Sequence, residues 1–340
     1  MKVRQAVVMV GGMGTRLRPL TENKPKPMLS VADKPCIWYL MRSLARAGIE
    51  EVILACGYKP GMMESLGDGS DLGIRVVYSY EDEPLGTAGA IKNVESRLDE
   101  VFVAANGDVF ADIDVKKEVE THFANDATVT IALTPVENPC EFGIARVDDT
   151  GRILEFKEKP KPEEVFSNLI NAGVYVVNRS VLEKVPAGKF YDFSKDLVKV
   201  LMEEGKRIQS YSLTGTWMDV GRPHDLLEAN LAVAEREYRL KRFDSAVECC
   251  SRDQFYLGPG ASIENSSTVK TVISKGSAVR DSNLNRVLIL ENCRVDGARI
   301  ENSILGDGCV VRKGAEITNA VLADNTVVEE GQRIEGDRIV

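Results

Sequence analysis

The chain has 340 residues, 44% of them hydrophobic and 28% charged, a net charge of −9 and two histidines, His122 and His224. That length suits two globular domains, and no apolar run approaches the ~20 residues that a membrane span requires. The acidic balance excludes bulk attraction to nucleic acid or anionic lipid, so neither nucleic acid nor a membrane is an expected partner. Seven cysteines (Cys36, Cys56, Cys140, Cys249, Cys250, Cys293, Cys309) are odd in number and lack Cys-x-x-Cys spacing. They argue for a reducing, cytoplasmic compartment and against a disulfide framework or zinc site. Residues 1–5 lead straight into a strand, so no signal peptide is expected.

Gln5 to Val10 (QAVVMV) reads as a buried parallel strand. It empties into Gly11, Gly12 and Gly14, whose missing side chains leave backbone N–H groups open to a polyphosphate, and Thr15 adds a hydroxyl donor. Arg16 and Arg18 follow, then Lys26 between Pro25 and Pro27. A glycine loop, a guanidinium and a proline-clamped lysine suit a triphosphate. The spacing is neither a P-loop nor a dinucleotide fingerprint, whose third glycine is here Leu17. Taken alone, the glycine cluster is equally compatible with a plain strand-to-helix turn.

Residues 34–47 carry apolar positions at helical spacing and stop at Gly48. Strands over EEVILACGY and IRVVYSY follow, separated by a glycine-rich stretch over 57–73. This alternation indicates a parallel sheet with helices on both faces. The loop EPLGTAGA, residues 83–90, opens a helix at Thr87. VFVAANGDVF places Asp108 after a buried strand and a glycine, as a metal or hydroxyl ligand or as a simple turn aspartate. Glu158-Lys159-Pro160 sets a carboxylate beside an ammonium. One site using both needs a bend, which Pro160 makes reasonable; otherwise they are a solvated charge pair. SNLINAGVYVV places Asn171 before an apolar strand, and GTWMDVG brings Trp217, Asp219 and Gly221 before a helix running to about residue 240.

The string GGMGTRLRPLT followed by KPKPM, with the loops just described in order, resembles the signature of sugar-nucleotide pyrophosphorylases over residues 5 to about 232. These enzymes join a nucleoside triphosphate to a sugar 1-phosphate. The resemblance implies a Rossmann-like, mostly parallel α/β domain. It implies phosphate contacts at Gly11, Gly12, Gly14 and Thr15, and base contacts at Glu83, Gly86 and Thr87. It further implies Arg16 on the leaving pyrophosphate and Lys26 bridging the reacting phosphates. Gly143, Glu158 and Asn171 are expected to bind the sugar hydroxyls, Lys159 the sugar phosphate, and Asp108 and Asp219 a Mg²⁺ ion. Both aspartates are expected to project from one edge of the parallel sheet. The nucleophile is a phosphate already largely ionised at neutral pH, so no general base is needed, in keeping with the shortage of histidine. The motifs are most similar to guanylyltransferases acting on mannose 1-phosphate; uridylyl- and thymidylyltransferases of glucose 1-phosphate share most of these residues.

Past a charged helix and linker the texture changes. Aliphatic residues recur six apart: Leu257, Ile263, Val269; Ile289, Val295; Leu305, Val311, Ile317; Leu322, Val328, Ile334. Small and polar residues lie between. This pattern predicts a hexapeptide-repeat, left-handed parallel β-helix. The expected domains are 1–232, a helix and linker at 233–256, and repeats at 257–340, with the repeats in the interface of a homo-oligomer. A second activity as an acetyltransferase conflicts with the absence of histidine beyond His224. A non-catalytic regulatory role conflicts with the presence of Arg16, Lys26, Asp108 and Asp219.

Overall fold

The structure is a computed structural model describing all residues except 1, 13, 58, 59, 241–246, 337 and 340, and for 60, 62, 237–240, 247–253, 338 and 339 only the backbone. The side chains of Cys249 and Cys250 and much of the linker thus lie outside the described residues. Cys36, Cys56, Cys293 and Cys309 are buried free thiols. Two compact units emerge: Met1–Gly12 with Ile37–Trp217, and Met13–Cys36 with Met218–Val340. Each is described by itself.

In the first unit, β1 (Gln5–Met9) lies between β2 (Glu51–Cys56) and β4 (Val101–Asn106), parallel to both, and β3 (Arg75–Tyr80) extends the sheet beyond β2. β1, β2 and β4 are nearly continuous apolar runs because both faces are covered, whereas the edge strand β3 is only partly buried. After β4 come β5 (Val109–Ile113), β6 (Val129–Pro135), β7 (Gly143–Val147), β8 (Ile153–Glu158), β9 (Leu169–Asn178) and β10 (Ile208–Ser212). The sheet order is β8-β7-β9-β4-β1-β2-β3, with β6 on β9 and β10 on β6. Here the sheet is mixed: β9 runs antiparallel to β4, β6 and β7, while β10 is parallel to β6. The helices are α1 (Cys36–Arg46), where the apolar spacing predicts one, α2 (Gly86–Asn93), opening one residue before Thr87, and α3 (Val115–Ala124), which no expectation from the sequence covers. Val7, Ile53, Phe102, Ile131 and Tyr175 are centres of one core. The strand order turns at β1, so the carboxyl ends of β1 and β4 open the crevice where such sheets bind ligands.

In the second unit, α4 (Pro223–Leu240) packs on the first repeat strands. The repeats stack as parallel coils in three aliphatic columns. One runs Ile263, Val279, Val295, Val311, Val328, and another Leu257, Ile273, Ile289, Leu305, Leu322. The third begins at Thr268 and continues through Leu284, Ile300, Ile317 and Ile334. Strict six-residue spacing puts Val269 in this column, but Val269 is 37% exposed and Thr268 is buried. Each coil advances 16 or 17 residues, so some steps are five long, and Val269, the residue after the inward Thr268, faces out. The corners reuse one turn, with Gly260, Gly276, Asn292, Gly308 and Asn325 all at positive φ.

Candidate active site

In the first unit the site is built on loops at strand ends. Gly11 and Gly12 follow β1 and are exposed, their backbone open to a ligand. A Cβ on Gly57, after β2, would stand 3.0 Å from the Gly11 Cα, so the two loops pack backbone to backbone. Next to them is Asn106-Gly107-Asp108 at the end of β4, with Met9 in register with Asn106. A Cβ on Gly107 would fall 2.4 Å from Val10 Cγ1, so only glycine lets this turn close on β1 and present Asp108.

Gly86 has φ 72 and a Cβ there would meet the Tyr191 carbonyl oxygen at 2.8 Å. The Thr87 hydroxyl donates to Asp192 Oδ2 (3.1 Å) and accepts from the Phe193 amide (2.7 Å), bracing the loop over residues 191–193. Glu83 is exposed on the loop before α2.

Gly143 pairs with Glu158 across β7 and β8, and a Cβ on Gly143 would lie 2.6 Å from Glu158 Oε2. Burial, reinforced by the charge of Asp192, pushes the Glu158 carboxyl above its usual range, and Lys159 opposes this. The bend expected at Pro160 occurs one residue earlier: Lys159 itself has φ 44, its N–H held by the Phe142 carbonyl at 2.9 Å. Asn171 lies within β9, at a bulge before Tyr175, and not ahead of the strand as its sequence suggests. Its Nδ2 donates to Tyr175 Oη and Ser194 Oγ, each at 2.8 Å, and its Oδ1 accepts from the Gly173 amide. The Trp217 indole donates to the Ala172 carbonyl at 2.9 Å and meets Phe142 edge-on.

The second unit carries Arg16, Arg18 and Lys26. Gly14 has φ 61, and a Cβ there would press on Lys26 Cβ (3.1 Å) and Thr21 Cγ2 (3.2 Å). The Thr21 hydroxyl donates to the Gly14 carbonyl at 2.8 Å. Thr15, Arg16 and Arg18 are exposed around a short 3₁₀ turn. Lys26 opens a second such turn after Pro25 and is 6% exposed, with Nζ 3.3 Å from Asp219 Oδ1. A Cβ on Gly221 would meet Asp219 Oδ2 at 3.1 Å and an Arg16 guanidinium nitrogen at 3.2 Å, so glycine leaves room for both. Asp219 closes a strand, Gly215–Asp219, of a two-stranded sheet outside the main one. It therefore does not project from the parallel sheet edge, as its motif suggests: a half-exposed ribbon, and not a buried strand, carries it. His122 takes no part; it is buried between Thr130 and Asn178.

A family model of nucleotidyl transferases matches residues 5–236. The chain belongs to the nucleotidyl transferase family. In this nucleotidyltransferase, residues 259–339 match a second model, the GlmU-like C-terminal hexapeptide. It is 35% identical over 317 residues to a mannose-1-phosphate guanylyltransferase of Mycobacterium tuberculosis, covering 91% of this chain and 83% of that one. It is 40% identical over 228 residues to the mannose-1-phosphate guanylyltransferase catalytic subunit beta of Drosophila pseudoobscura pseudoobscura, covering 66% of this chain and 60% of the relative. Among solved structures, HddC from Yersinia pseudotuberculosis is similar at TM-score 0.58 and 28% identity, over 68% of this chain and all of that one. Among the described residues, no helix is long and apolar enough to cross a membrane.

No motif in the sequence points to Asp192, Tyr175 and Ser194, yet burial and then the charge of Asp192 raise the Glu158 carboxyl, and Tyr175 and Ser194 hydrogen-bond Asn171. The stretch PAGKFYDFS, residues 186–194, carries no repeat, glycine cluster or charge pair that would single it out.

Proposed function

We propose that this nucleotidyltransferase condenses GTP with mannose 1-phosphate, giving GDP-mannose and pyrophosphate. The observation that carries the reading is the likeness to the mycobacterial guanylyltransferase across 91% of the chain, repeats included. In support, HddC has been solved in complex with GMP-PN. The exposed Gly11 and Gly12 amides, with Gly14 and Thr15, receive the triphosphate, and Glu83, Gly86 and Thr87 the base. Gly143, Glu158, Asn171 and Lys159 receive the sugar phosphate. A sugar phosphate oxygen attacks the α-phosphorus as pyrophosphate leaves. Lys26 stabilises charge on the transferring phosphoryl group, and Arg16 charge on the leaving pyrophosphate.

Asp108 and Asp219 are the proposed magnesium carboxylates. Two carboxylates are the donor type Mg²⁺ takes, its shell then completed by phosphate oxygens and water. When bound, the ion neutralises phosphate charge. Lys26 holds the Asp219 carboxylate in place. The repeats are proposed to join copies of the chain in a homo-oligomer, which light scattering on the eluting protein measures.

Pyrophosphate release across four nucleoside triphosphates and several sugar 1-phosphates tests the assignment. The expected best pair is GTP with mannose 1-phosphate. A preference for UTP or dTTP with glucose 1-phosphate would replace it.

A further inference from the structure

The segment that carries Lys26 is tied at both ends within the second unit. At one end the Lys24 ammonium is ion-paired with Asp307 of the repeats, the two side chains 33% and 24% exposed. Beside it, Asn23 Nδ2 donates to Asp324 Oδ2 at 3.4 Å. Asp307 and Asp324 hold the same place in successive corner turns, each just before a residue of positive φ. They are cross-linked: the Asp307 amide donates to Asp324 Oδ1 at 2.9 Å, and Asp307 Oδ1 accepts from the Glu291 amide at 3.0 Å. The equivalent places in the two preceding turns are Lys275 and Glu291, so the carboxylates short enough to be held this way stand only where the segment crosses.

At the other end, Ala32 sits at φ 54 in the turn between the short strands Ser30–Val31 and Lys34–Pro35. Its amide donates to Asn230 Oδ1 at 2.7 Å. Asn230 is fully buried on α4, and its Nδ2 donates to the Ser30 and Leu226 carbonyls. Lys26 lies between these anchors with a proline on each side. Pro25 and Pro27 restrict the backbone, so displacement of an anchor passes along the segment to Nζ.

We infer that Asp307, supported by Asp324, is a positioning residue for Lys26, so that the repeats take part in the transfer step by fixing the signature segment. This rests on the reading of Lys26 given above. Surface ion pairs contribute little to stability, and this one acts by restricting where a single ammonium stands. Transfer chemistry that depends on charge placement is sensitive to shifts of about 1 Å.

The test uses the full chain. Asp307→Asn keeps an oxygen for the Glu291 amide and removes the charge that faces Lys24. Lys24→Met breaks the pair from the other side, and Lys24→Arg keeps it. Two quantities are read: steady-state pyrophosphate release, and hydrogen–deuterium exchange of peptides spanning residues 19–33. Asp307→Asn and Lys24→Met are each expected to lower kcat about tenfold while KM for both substrates stays within about twofold. The double variant should be no worse than either single, and Lys24→Arg should restore the rate. Exchange over 19–33 should rise in Asp307→Asn with the repeat strands unchanged. Unchanged kcat, strictly multiplicative losses, or faster exchange throughout the repeats would each overturn the proposal. If the unaltered protein releases no pyrophosphate with any substrate pair, the functional reading fails by itself. Exchange then decides the anchor: a local rise supports it, and no rise overturns it.

Discussion

Lys26 and Asp219, 193 positions apart, meet with Nζ 3.3 Å from Oδ1 while Lys26 is almost wholly buried. A buried ammonium needs a carboxylate, and a carboxylate proposed to share a cation is held ready by one. Gly14 and Gly221 make the approach possible by omitting side chains on either side of the pair. Removing either partner takes away the ion pair that holds the other, so the two act together.

Lys26→Ala is expected to lower kcat by about 10²-fold or more, with a much smaller change in nucleotide affinity, because its contact strengthens as charge develops on the phosphoryl group. Single-turnover rates together with equilibrium nucleotide titration check this. Equal affinity loss at unchanged turnover would make Lys26 a simple binding residue.

Asp108→Asn and Asp219→Asn preserve shape and remove a charge. Activity at limiting Mg²⁺ should fall by orders of magnitude in both, and excess Mg²⁺ should restore only part of it. Titrating Mg²⁺ against turnover is the measurement. Near-normal turnover at limiting Mg²⁺ in either variant removes that residue from the metal assignment.

Gly143→Ala places a Cβ 2.5 Å from Phe156 Cζ and 2.6 Å from Glu158 Oε2, so the carboxylate proposed to face the sugar must move. The expected result is a rise in KM for the sugar phosphate of about tenfold, with KM for the nucleotide nearly unchanged, a local loss of the kind overpacking produces. An equal rise in both would mean that the residue does not belong to the sugar side alone.

Glu118 is completely buried on α3, and burial raises its carboxyl well above the ordinary range, the nearby Ala132 backbone offsetting only part. The folded state therefore keeps a proton that the unfolded chain loses near pH ~4.3. The resulting stability is fully present below that pH and is lost as pH rises through the folded pKa, at about 1.4 kcal/mol per pH unit. Glu118→Gln imitates the neutral form. It should melt close to the unaltered protein at pH 4 and above it at pH 8, as thermal denaturation at the two pH values will show.

Much of this protein follows from local rules. The apolar runs at Gln5–Met9 and Val101–Asn106 are buried strands, Gly48 at φ 88 ends its helix, and the aliphatic repeats stack as coils. Hydrophobic periodicity and glycine placement act over a few residues, so they are legible in one dimension. Val269 shows the margin of that legibility, since a five-residue step turned it outward. What only the tertiary structure decided is which distant groups meet. Asp219 stands on a half-exposed ribbon beside Lys26, Asp192 lies against Thr87 and close to Glu158, and Asp307 holds Lys24. No local preference of an aspartate names its partner. Those pairings follow from strand order and coil stacking, which bring together residues that the chain keeps far apart.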